Sequence, residues 1–90
     1  MNISEYCGNT EFSILQFTFL MTDDIKEKIK QKKLFYKEQV IRYITQQIDL
    51  FFRNFTLSRA LVQTYKYEVF NTILFKLRNT LEKHIIFQCP

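Results

Sequence analysis

The stretch DDIKEKIKQKKLFYKEQVIRYITQQIDLFFRNF, residues 23–55, decides the fold of this chain. It holds no glycine and no proline, and it opens with helix-starting chemistry. Thr22, Asp23 or Asp24 can accept the orphan N–H groups of a first turn, and Asp24 with Glu27 reads as a capping box. The acidic pair also suits the positive end of a helix dipole. One helix from Asp23 to Phe55 is therefore expected, roughly 50 Å long at a rise of about 1.5 Å per residue.

On a helical wheel the apolar residues of this stretch form two seams. One passes through Ile25, Ile29, Tyr36, Val40, Tyr43 and Leu50, the other through Ile41, Ile44, Ile48, Phe51 and Phe55. Lys26, Lys30, Lys33 and Lys37 continue the second seam toward the N-terminus, so one face changes from lysine to isoleucine and phenylalanine partway along. A helix apolar on two faces at one end belongs in the middle of a bundle there, with its basic end projecting beyond the core.

Around NFTLS, residues 54–58, the pattern slips. Asn54 suits a helix end and Thr56 or Ser58 a new N-cap, although no glycine or proline enforces a turn and a continuous helix stays open. Farther on, Val62, Phe70, Ile73, Leu74, Leu77, Leu81 and Ile85 keep near-heptad spacing, opposite Thr64, Glu68, Asn71, Thr72, Asn79, Glu82 and Lys83. The spacing predicts a second amphipathic helix over 58–87.

Upstream, residues 1–11 are polar, contain the chain's one glycine, Gly8, and read as a loose end. Residues 12–22 form a short apolar element. Leu15, Phe17, Phe19 and Met21 alternate as a strand would, while Phe12, Leu15 and Phe19 also make a helical stripe. With no second strand to pair with, a short buried helix is the favoured reading, and a strand added to a partner's sheet the competing one. Met21-Thr-Asp-Asp also has the look of an alternative start.

Ninety residues with one Gly and one Pro make one small domain and leave too few turn residues for a sandwich or barrel. The expected fold is all-α: two long amphipathic helices in an antiparallel hairpin behind a short N-terminal helix or strand. Such a hairpin has more apolar face than it can cover, so oligomerisation or a partner would complete it. A histone-like short–long–short pattern fits these two long segments poorly.

The net charge of +4 is uneven: six lysines and one acid, Glu27, lie between Lys26 and Lys37, a local excess greater than the chain's total. Lys26, Lys30, Lys33 and Lys37 on one helical face would contact phosphates without base specificity. A basic helix running into an apolar seam is similar in layout to basic-leucine-zipper proteins. Base readout there favours Arg and Asn, and this stretch offers only lysines and Gln31. A dimeric nucleic-acid binder is thus one alternative function, and peripheral attachment to an anionic membrane, with Leu34, Phe35 and Tyr36 at the interface, a second. The bland reading of the same lysines is a solvated helical end.

Fifteen aromatics, ten of them Phe, are many for so short a chain. Phe35, Phe52, Phe75 and Tyr67 fall off the main seams and, if exposed, would make a patch that favours self-association or a permanent partner. No phosphate-cradling glycine loop, metal-ligand spacing or nucleophile motif is present, so no enzyme activity, cofactor, metal or small-molecule substrate is predicted. His84, beside Ile85, suits a structural role near a helix C-terminus. Cys7 and Cys89 are too far apart for a metal or disulfide framework, and an intracellular, reducing compartment is the default. Without a secretory route, the sequon at Asn54-Phe55-Thr56 reads as chance.

The leading expectation is a small non-enzymatic interaction subunit of a larger assembly, as a homo-oligomer or with a protein partner. Its interface is expected at Ile41, Ile44, Ile48, Phe51 and Phe55 on the first long helix and at Phe70, Leu74, Leu77 and Leu81 on the second.

Overall fold

The computed structural model describes the backbone of residues 3–84 and the side chains of residues 10–83. Among these residues the protein is all-α, with α1 Ile3–Lys30, α2 Lys37–Phe52 and α3 Arg59–His84. The predicted end of the last helix at 85–87, with Ile85, and Cys89 lie outside the described residues.

The N-terminal half departs from expectation. Residues 12–22 are neither a strand nor a separate element: they are the middle of α1, and Asp23–Glu27 lie inside that helix rather than at its start. The single helix expected from Asp23 to Phe55 is broken at 31–36. The break is a two-bond helix-ending motif. The Lys33 N–H donates to the Lys28 carbonyl at 2.9 Å and the Lys32 N–H to the Ile29 carbonyl at 3.1 Å, with Lys32 in the left-handed region at φ 60°. A glycine would take that conformation freely, whereas lysine pays roughly 1–2 kcal/mol.

Two effects offset that cost. Lys28 with Lys32, and Lys33 with Lys37, would repel four residues apart on a continuous helix. Turning the chain also lets Ile25 and Ile29 share one core with Val40 and Ile44, all four at most 2% exposed. Each such side chain gains roughly 1.5–3 kcal/mol on burial, so the core outweighs the local strain. Beyond the turn, the Gln39 side chain accepts the Phe35 N–H at 2.8 Å and the Tyr36 N–H at 3.0 Å, fixing the entry to α2.

Contacts set the topology. Phe17 stacks on Phe51 with ring centroids 4.1 Å apart, and Tyr43 bonds Asp24, so α2 runs antiparallel to α1. Asp49 pairs with Lys66 at 3.0 Å and Phe52 stacks on Tyr65, so α3 returns antiparallel to α2 and alongside α1. Ser58 starts α3, its hydroxyl accepting the Leu61 N–H at 3.2 Å, in line with the capping chemistry read from the sequence. The hairpin is thus a bundle of three helices, with α3 packed against both others. At about 24 Å, α2 is much shorter than α1 and α3, each about 40 Å.

Ile14, Ile25 and Ile29 of α1, Val40, Ile44, Ile48 and Phe52 of α2, and Val69, Ile73, Leu77 and Leu81 of α3 form the core. The buried lines of α2 and α3 step strictly by four residues, so neither expected seam is the one that goes inside. On α2 the buried line takes Val40 from one seam and Ile44 and Ile48 from the other. Phe52, read as lying off the seams, is 3% exposed and belongs to the core.

Candidate interaction surface

α1 carries two apolar faces. Inward, Ile14, Thr18, Thr22, Ile25 and Ile29 are buried. The two threonines satisfy themselves locally: Thr18 Oγ1 donates to the Ile14 carbonyl at 2.7 Å and Thr22 Oγ1 to the Thr18 carbonyl at 2.8 Å. Their hydroxyls are thereby neutralised and the threonines pack as small β-branched residues. Among the described residues, no buried side-chain nitrogen or oxygen lacks a partner.

Outward, the stripe Phe12, Leu15 and Phe19, with Leu20 beside it, is exposed by 67%, 70%, 59% and 58%. The sequence identifies this stripe correctly as helical but as buried. The structure instead turns it to solvent, because Ile14 and Thr18 occupy the face that meets α3. From Phe12 to Thr22 there is no charged residue, and the polar ones are Ser13, Gln16, Thr18 and Thr22. The other large exposed apolar residues, among them Phe35, Leu50, Tyr67 and Phe75, are spread over the link and the other two helices. Single exposed residues of this sort are ordinary. Phe75 is also overlaid by the Arg78 guanidinium, 4.1 Å from the ring centre.

The residues expected to form an interface are mostly internal. Ile44, Ile48, Leu77 and Leu81 are buried, and Ile41, Phe51, Phe55, Phe70 and Leu74 are half-buried beside them. Phe51 touches Phe17, Phe52 and Phe55 at once. Ile44, Ile48, Leu77 and Leu81 belong to the core that joins the three helices.

The lysines do not line one helix. Lys26 and Lys30 are on α1, Lys33 is in the link and Lys37 opens α2. Lys30, Lys32, Lys33 and Lys37 are exposed at one end of the bundle, around the exposed Phe35, whereas Lys26 is half-buried.

A polar cluster ties α1 to α2 near this end. The Asp24 carboxylate accepts the Tyr43 hydroxyl at 2.8 Å and the Lys28 ammonium at 2.9 Å. Burial alone would raise the Asp24 pKa, but these two hydrogen bonds prevail and hold it below the ordinary carboxylate range. The bond to Asp24 raises Lys28. Burial, reinforced by the same carboxylate, pushes the Tyr43 phenol up. The cluster is structural in character, since every group in it is satisfied by another.

Between α2 and α3 lies an open groove of about 750 Å³ lined by Thr45, Ile48, Asp49, Gln63, Thr64, Lys66, Tyr67, Glu68 and Phe70. Of its charged residues, Asp49 and Lys66 are paired with each other across it. Among the described residues no group of three His, Cys, Asp or Glu side chains converges to hold a metal. No helix there is long and apolar enough to cross a membrane. No protein-family model matches the chain, and no curated protein and no solved structure matches it either.

Proposed function

We propose that this chain is a small non-enzymatic helical subunit that binds another protein chain through the outer face of α1. One observation carries the reading: Phe12, Leu15, Phe19 and Leu20 form a continuous, uncharged stripe that the bundle leaves more than half exposed. Apolar anchors grouped on one rigid helix are the usual core of a helix-to-groove or helix-to-helix interface. Photo-crosslinking in cells tests it, with benzoylphenylalanine placed at Phe12 or Phe19 and, as controls, at Asn79 or Glu82 on the exposed side of α3. Adducts are expected from the α1 positions and not from the controls. Equal yields from both, or none from α1, reject the reading.

A second reading rests on the exposed Lys30, Lys32 and Lys33 around Phe35. They offer phosphate contacts beside a ring on which a base can stack. A labelled single-stranded oligonucleotide should then bind at low salt, weaken steeply as salt rises, and be lost when the three lysines become glutamate. Absence of binding at low salt removes this reading.

A further inference from the structure

We infer that the occupant of the outer face of α1 is a second copy of this chain, its α1 packed antiparallel about a twofold axis between Leu15 and Gln16. This rests on the reading that the α1 stripe is an interface, and it names the partner.

Area is the first argument. Leu and aromatic side chains exposed to the extent of Phe12, Leu15, Phe19 and Leu20 leave on the order of 500 Å² of apolar surface per copy. Two copies facing each other would bury on the order of 1,000 Å² from these residues alone, the lower bound for a specific interface.

A twofold interface also demands self-complementarity. The stripe is uncharged from end to end, and antiparallel pairing sets Phe12 against Phe19 of the other copy at both ends of the patch.

Sedimentation equilibrium on the purified full chain at micromolar concentration is the test. The expected result is a dimer that Leu15→Lys or Phe19→Lys weakens by on the order of a hundredfold. Both positions are exposed, so the variants should keep the helical circular dichroism of the parent. In a background with Cys7→Ser and Cys89→Ser, Gln16→Cys should be joined to its counterpart by a short bismaleimide, and Asn79→Cys should not. A monomer throughout overturns the second copy and leaves the interface reading to the crosslinking experiment. A dimer indifferent to both lysine substitutions, or one in which Gln16→Cys is not joined, likewise overturns the second copy on α1 and leaves the interface reading to the crosslinking experiment.

Discussion

Tyr43 reaches across from α2 to donate its hydroxyl proton to Asp24 on α1, 2.8 Å away, and this bond joins residues 19 apart in sequence. Asp24 lies nearer the linked end of the two helices than the Phe17–Phe51 stack, and the two contacts together set their register. Tyr43→Phe removes a donor to a charged acceptor at a partly exposed site, and a loss of about 1 kcal/mol is expected in urea denaturation.

The same carboxylate sets a pH dependence. Its folded pKa is depressed, so its contribution is complete above the unfolded value of about 3.9 and disappears as pH falls through the folded value. Asp24 is 39% and Lys28 31% exposed, so solvent screening keeps the contribution small. Urea midpoints of the parent should therefore fall more steeply than those of Asp24→Asn as the pH is lowered below about 4. Parallel curves would show that the cluster contributes nothing through its charge.

Lys32 holds the left-handed position that ends α1, at φ 60°. Lys32→Gly relieves the contact between Cβ and backbone, and a gain of about 0.5–1 kcal/mol is expected despite the greater freedom of glycine in the unfolded chain. In a chain of this size that is a rise of several degrees in the melting temperature. Lys32→Val should lower it.

Phe17 stacks on Phe51, which also meets Phe52 and Phe55. Phe17→Ala is expected to cost about 2–3 kcal/mol, less than a fully buried phenylalanine because the ring is only half-buried. The same contact bears on Met21 as an alternative start. A chain beginning there would lose Phe17, the buried Ile14 and the buried Thr18, and its thermal unfolding should be broad or absent.

Core and surface should separate cleanly on α3. Leu77 is fully buried and Tyr67 is 72% exposed. Leu77→Ala should cost about 3 kcal/mol and Tyr67→Ala less than about 0.5 kcal/mol in chemical denaturation.

The amino-acid sequence by itself determined that the described chain is helical, because a near-absence of glycine and proline leaves few turns and the apolar residues recur at helical spacing. It also offered Ser58, alongside Thr56, as a cap, a property of one side chain and the next turn. Two things were decided only in three dimensions. One is the break at 31–36: no residue there forces a turn, and the left-handed Lys32 is locally unfavourable, so the turn exists because it lets Ile25 and Ile29 meet Val40 and Ile44. The other is which apolar face goes inside. Helical spacing says that Phe12, Leu15 and Phe19 share a face, and equally that Ile14 and Thr18 share another. Only the packing of α1 against α3 buries the second and leaves the first in water, which is why the stripe read as buried is the candidate interface, while Ile44, Ile48, Leu77 and Leu81 of the expected interface lie in the core.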